Sequence, residues 1–193
     1  MEIQVIGGGL AGTEAAYQLA KRGNDVTLVE MRPCLYSPAH RTEYLAELVC
    51  SNSLKSKELT NAHGLLKAEL NILDSLVLRL ANETAIPGGK ALVVDREVFA
   101  KRITDEVEKN NHIRVTRREA TTIPHGPVVI ESGPLTSDAL AREISTVTGE
   151  NGLSFYDAIS PIVSADSIDY DNAFYASRYV KEESDDYLNC PLT

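Results

Sequence analysis

The chain is 193 residues long, 43% hydrophobic and 24% charged, enough for one sizeable globular domain or a domain with part of another. No apolar run approaches the roughly 20 residues that cross a bilayer, and Met1-Glu2-Ile3-Gln4 lacks the basic head of a secretory signal. A net charge of −9 disfavours indiscriminate nucleic-acid binding without excluding a local basic groove. Three cysteines, Cys34, Cys50 and Cys190, have no metal-ligand spacing, and their odd number argues against a disulfide framework. A cytoplasmic protein without a metal centre is expected.

In chain order, Glu2-Ile3-Gln4-Val5-Ile6 predicts a short strand that runs straight into Gly7-Gly8-Gly9. Leu10 to Arg22 suits a helix, with Ala11, Ala15, Ala16, Leu19 and Ala20 as a small apolar face and Gly23 as its stop. Asp25-Val26-Thr27-Leu28-Val29-Glu30 is a second strand ending in an acid. Strand, glycine turn, helix and strand in this order form a βαβ unit with a right-handed crossover. Residues 31–61 contain Pro33 and Pro38 and show no clear period. They predict a long functional loop with short helical pieces.

From Ala62 to Ala81, Leu66, Leu70, Leu73, Val77 and Leu80 recur at threes and fours, predicting one helix. Asp95 to Lys109 predicts another, with Val98, Ile103 and Val107 near one side. Ile113 to Thr116 and Pro127 to Glu131 predict strands, and Thr136 to Thr146 a helix. Beyond Gly149 tyrosines and acids accumulate. The expected division is therefore a first domain over 1–150, with the loop and helix of 31–90 inside it, and the start of a second over 151–193.

Gly7-Gly8-Gly9-Leu10-Ala11-Gly12 fits the GxGxxG fingerprint. Its first glycine permits the tight turn, its second lets the backbone approach a pyrophosphate, and its third lets helix and strand pack closely. The helix start supplies amide donors and a positive dipole end. Glu30, at the end of the next strand, is placed to accept hydrogen bonds from an adenosine ribose. FAD and NAD share that adenosine pyrophosphate. The tie-breaker is Pro127-Val128-Val129-Ile130-Glu131-Ser132-Gly133-Pro134, which resembles the second flavin-contact motif of two-dinucleotide-fold flavoproteins, and Glu14 is also common in that group. The expected fold is thus α/β, a Rossmann-like FAD-binding domain with the start of an inserted α+β region. Gly7, Gly8, Gly9, Leu10, Ala11, Gly12, Glu30 and Gly133 are the candidate FAD contacts.

Cys50 lies in Glu47-Leu48-Val49-Cys50-Ser51-Asn52-Ser53. Ser51, Asn52 and Ser53 are good N-cap residues, so a helix starting there, with Lys55 or Lys57 nearby, would favour a reactive thiolate. The residues alone leave that reading open beside a buried apolar cysteine. Cys34 and Cys190 are expected to be structural, His40 a loop residue, and Arg114, Arg117 and Arg118 part of an exposed strand edge.

Taken together these segments resemble the folate- and FAD-dependent tRNA (uracil-5-)-methyltransferases of the TrmFO type. The matching stretches are Val5 to Ala16, Glu30-Met31-Arg32-Pro33, Pro38-Ala39-His40, Glu47 to Leu54, Gly64 to Lys67, Leu73 to Leu76, Ala91 to Arg96, Ser132 to Ser137, Phe155 to Ala158, Ser177 to Tyr179 and Tyr187 to Pro191. The resemblance implies methylation of a tRNA T-loop uridine at C5, with methylenetetrahydrofolate as carbon donor, FAD as cofactor and NAD(P)H as reductant. It implies a catalytic thiol at Cys50, as nucleophile, base or flavin partner, in a reaction where uracil C5 becomes nucleophilic once a thiolate adds at C6. The family's second reactive cysteine, in a Gly-Cys-Leu-Pro segment, has no match here, and family members are longer, so the chain corresponds to their N-terminal portion. Gly8 stands where the family more often has alanine, a change expected to be harmless. On the residues alone, an FAD-dependent NAD(P)H oxidoreductase and an inactive flavin-binding fragment are the alternatives.

Overall fold

The computed structural model describes residues 2–149, 163–176 and 187–191. The first strand β1 (Glu2–Ile6), helix α1 (Leu10–Lys21) and strand β2 (Asp25–Glu30) form the expected βαβ unit. Three strands and two helices follow: β3 (Ser53–Ser56), α2 (Ala62–Ile72), α3 (Leu76–Glu83), β4 (Ala85–Ile86) and β5 (Ala91–Val94). The chain then returns through α4 (Arg96–Glu108), β6 (Ile113–Arg117), β7 (Val128–Ile130) and α5 (Asp138–Thr148). A 3-10 turn (Ala165–Ser167) and a short pair, β8 (Phe174–Tyr175) and β9 (Leu188–Asn189), complete the described elements.

The main sheet has the order β6-β2-β1-β7 and all its pairings are parallel. Ile6 lies opposite both Val29 and Ile130, and Glu30 opposite Arg117. Because side chains alternate across a strand, Val5, Val26 and Leu28 face one side and Ile6 and Val29 the other. The first set packs with Ala16, Ala20, Phe99, Ile103 and Val107, the second with Leu140 and Ala120. Helices thus cover both faces, as a parallel sheet requires. Strand order reverses at β1, with β2 on one side and β7 on the other. In an open α/β sheet such a switch point leaves a crevice at the strands' carboxyl ends. Gly7, Glu30 and Glu131 directly follow β1, end β2 and follow β7, so all three motifs meet at that crevice.

The second layer departs from the expectations. The helix predicted over 62–81 is two helices, broken at Asp74, whose φ is +56°. The break has a tertiary cause. Ser75 caps α3 at the Leu78 amide, and the Glu14 carboxylate of α1 accepts from Ser75 Oγ at 2.7 Å and the Val77 amide at 2.9 Å. Asp74 in turn pairs with Lys21. Leu76, Leu78 and Leu80 are buried, whereas Leu66, Ile72 and Leu73 are exposed, so the apparent single stripe was two faces. Glu14 therefore anchors α3. In place of a helix after Cys50 there is β3, paired antiparallel to β5, which pairs with β4. Ser51 and Ser53 hydroxyls accept from the amides of Ser53 and Lys55 two residues on, the local turns that compete with a helix start. Between Met31 and Asn52 the backbone forms turns and bends, without the short helices expected there.

Candidate functional site

The glycine turn divides its work among its residues. Gly7 has a φ of +109°, and a Cβ there would come within 2.3 Å of the Glu131 carbonyl. A Cβ at Gly12 would lie 1.8 Å from the Gly7 carbonyl, so the third glycine is what lets α1 start against β1 and β7. At Gly9, by contrast, an added Cβ would meet nothing within 4 Å. The second glycine faces open space.

Helix ends explain what that space is suited for. Side chains of Asn61, Ser75, Asp95 and Ser137 cap α2, α3, α4 and α5. Only α1, among the α-helices described, begins on a glycine with no side-chain cap and no acid in its first turn. The first amides of a helix have no partner within it. Those of Leu10 and Ala11 accordingly open onto a cleft of about 360 Å³ lined also by Glu30, Met31, Cys50, Gly133 and Leu140. A second hollow of about 490 Å³ continues it past Met31, Glu119 and Pro134 toward Tyr36. Such a groove, rich in unsatisfied donors at one end, fits an extended anion with two apolar ends.

Gly8 lines the cleft as well. Its amide donates to Glu30 Oε2 at 2.8 Å and its carbonyl accepts from the Ala46 amide at 2.8 Å, so both its backbone groups are engaged by protein. Nor is its side-chain position empty, since a Cβ would lie 2.6 Å from both Glu30 Oε2 and Leu45 Cδ2. An alanine there requires the ends of those two flexible side chains to shift.

Glu30 is buried and turned toward the glycine turn. Its Oε1 accepts from the Arg32 amide at 3.0 Å and Arg32 Nε at 2.8 Å. With three donors on a carboxylate of about four lone-pair sites, it keeps capacity for one more. Burial pushes the Glu30 carboxyl up, but the Arg32 hydrogen bond and charge and the two amides more than offset it, holding the group below its ordinary value. Arg32, only 1% exposed, also reaches Glu47 Oε2 at 3.0 Å. Glu47 accepts from the Arg41 and Thr42 amides in turn. This Glu30–Arg32–Glu47 triad ties the loop to the glycine turn, and sequence reasoning assigned it no role. The signal was present in Glu-Met-Arg-Pro, but only the fold brings Glu47 to it.

Cys50 is exposed on the cleft wall, so it is not the buried apolar cysteine, and a strand rather than a helix follows it. Ala46, with a φ of +53°, turns the loop so that Leu45 and Leu48 are buried while Cys50 reaches the cleft. His40 lines the same cleft, with Nδ1 2.6 Å from Ser37 Oγ. Burial first, then the Arg32 charge, lowers its pKa against the pull of Glu47 and Glu30. Gly133 (φ +68°) lies on the opposite wall with nothing within 4 Å of an added Cβ.

The remaining expectations divide. Cys34 donates its Sγ–H to the Arg117 carbonyl at 3.3 Å, and Cys34 and Cys190 are both exposed. β6 is an edge strand with Arg114 exposed. Arg117, however, donates to the Glu43 carbonyl at 2.7 Å and pairs with Glu108, while Arg118 lines the cleft. Among the described residues no cluster of potential metal ligands occurs.

With this geometry the comparisons can be read. The family described as Glucose inhibited division protein A matches residues 2–193. Methylenetetrahydrofolate--tRNA-(uracil-5-)-methyltransferase TrmFO of Dictyoglomus thermophilum is 55% identical over 193 residues, 100% of this chain and 44% of that protein. The protein of the same name from Citrifermentans bemidjiense is 58% identical over 192 residues, again 44% of its length. The chain thus spans less than half of these relatives. A crystal structure of Aquifex aeolicus GidA superposes with a TM-score of 0.55 at 16% identity, over 69% of this chain and 25% of that one, a likeness of fold alone. The match over residues 2–193 makes the chain a member of the Glucose inhibited division protein A family.

Proposed function

We propose that this chain is the FAD-binding portion of an enzyme that methylates a tRNA T-loop uridine at C5, taking the carbon from methylenetetrahydrofolate and the electrons from NAD(P)H. The observation that carries the reading is the uncapped start of α1 opening onto a cleft whose wall presents Cys50. The relatives that match nearly the whole chain are named for this activity.

FAD fits the residues present. Gly9 leaves room for a diphosphate, the Leu10 and Ala11 amides would donate to it, and the helix end favours its charge. Glu30 has one accepting site left for a ribose hydroxyl, with Met31 and Ala120 lining that end. Gly133, on the β7 side, leaves space for the rest of the cofactor. Bound FAD supplies the redox centre through which the one-carbon unit is carried and reduced. Cys50 is the proposed catalytic thiol: a thiolate adding at uracil C6 turns C5 into a nucleophile. The buried triad holds the loop that carries it.

The reading also implies a first domain over 1–150 and a second beginning at 151, although residues 150–162 lie outside the described ones. It implies the cytoplasm as the compartment; among the described residues no helix is long and apolar enough to cross a membrane.

The test is transfer of label from methylenetetrahydrofolate to a T-arm RNA by the full-length protein. Cys50→Ala should abolish transfer and leave the visible flavin spectrum intact. Undiminished transfer would remove Cys50 from the mechanism. NAD(P)H oxidation without any transfer by the unmutated protein would favour the plain oxidoreductase.

A further inference from the structure

Cys50 and Ser51 belong to two cavities at once. Besides the cleft already described, they line a larger hollow of about 1210 Å³ between β3, β5 and the start of α4. We propose that this hollow seats the nucleotide to be modified together with its neighbours in a single RNA strand, the flanking phosphates resting on Lys55 and Arg96. The inference rests on the function proposed above and says where that substrate sits.

Placement is the first argument. A base in this hollow meets Cys50 on the shared rim, and the dinucleotide cleft adjoins the same residue, so base, thiol and cofactor can be brought together there. Size is the second. The hollow exceeds the roughly 300–1,000 Å³ typical of a small-molecule pocket and suits a length of splayed-out strand, the form in which RNA bases are read.

Charge is the third. The chain as a whole carries −9, which repels polyanions, so RNA requires a place where the local balance is reversed. Lys90 of the lining is neutralised by Glu58 at 2.8 Å. Asp95 is engaged at the α4 start, accepting from the Glu97 and Val98 amides. Lys55 and Arg96 make no ion pair among the described residues, and both line the hollow. Lys55 is also held at a φ of +67° where the β3–β5 register shifts, a conformation that costs free energy in a lysine and collects at functional sites. The Tyr187 ring, whose hydroxyl donates to the Gly88 carbonyl at 3.3 Å, lines the hollow as well. It is an aromatic face on which a base can stack.

The experiment is fluorescence anisotropy of a labelled T-arm hairpin RNA with the FAD-loaded full-length protein, compared with a Lys55→Ala/Arg96→Ala variant. RNA affinity should weaken at least about tenfold, and the log–log salt slope should flatten by about one to two, two phosphates being released. Flavin absorbance and the quenching of flavin fluorescence by methylenetetrahydrofolate should be unchanged. Unaltered RNA affinity overturns the proposal, as does loss of folate quenching with RNA affinity intact, which would give the hollow to the folate tail. If the variant loses its flavin, the unmutated protein decides. Saturating T-arm RNA must then slow iodoacetamide modification of Cys50, followed by peptide mapping, with Cys34 unaffected. No protection overturns the placement. Failure of the unmutated protein to bind this RNA or to transfer label would instead overturn the function itself.

Discussion

Two walls face each other across the dinucleotide cleft, the Gly7–Gly12 turn and the Leu45–Ser51 segment, and they are held in place by different physics. The turn is shaped by what its residues lack. Without a Cβ at Gly7 and Gly12 the strand can run into the helix, and without one at Gly9 the first amides of α1 stay accessible. The opposite wall has no such local necessity. Its course depends on a buried arginine between two acids, on Leu45 donating its amide to Thr104 Oγ1 at 2.8 Å, and on Ala46 in the left-handed region. One wall is intrinsic to its sequence; the other is pinned from a distance. The bond from the Ala46 amide to the Gly8 carbonyl joins them.

The comparison breaks most severely at Arg32. Arg32→Ala leaves Glu30 and Glu47 buried against each other, and losing one partner of a buried pair destabilises by about 3–5 kcal/mol. Urea denaturation of the flavin-free protein should register that loss, and a drop under about 1 kcal/mol would mean that the loop is not held by the triad. The turn should break next. Gly12→Ala brings a methyl onto the Gly7 carbonyl, an overpacking of about 1–3 kcal/mol or more, seen as a lowered melting temperature together with loss of flavin.

Acidification sharpens the contrast with less effect. His40 is lowered in the folded state, so the unfolded chain takes up its proton first and stability falls as pH drops through the unfolded histidine range near about 6.5. Glu30 is lowered too, so its contribution is complete above the ordinary carboxylate range and is lost as pH falls through and below it. In Arg32→Ala the two acids face each other without a cation, and mild acid should restore part of that variant's stability. Denaturation midpoints across pH check both signs.

The smallest effect on stability belongs to Gly9→Val. Nothing lies within 4 Å of an added Cβ, so the flavin-free protein should unfold within about 1 kcal/mol of the unmutated one, the loss being that of a poorer N-cap residue. The side chain would nevertheless fill the space assigned to the diphosphate, and the visible flavin bands should vanish. A coloured Gly9→Val protein would take the cofactor away from this helix end.

By itself the amino-acid sequence determined the βαβ unit, its glycine turn, Glu30 and the strand leading to Gly133. It could, because β-branched runs, Cβ-free positions and a helix stop act over neighbouring residues. It also marked Cys50 through the segment around it. The tertiary structure decided the rest. A stripe of leucines over 62–81 was divided by Glu14, a residue from another helix, and the serines after Cys50 turned into a strand because β5 was available to pair with it. Gly8 lost its freedom to a loop arriving from residue 46, and Arg32 found its second acid fifteen positions away in Glu47. Periodicity and capping preferences report only what a segment does alone, whereas burial of a charge or a leucine depends on which distant element covers it.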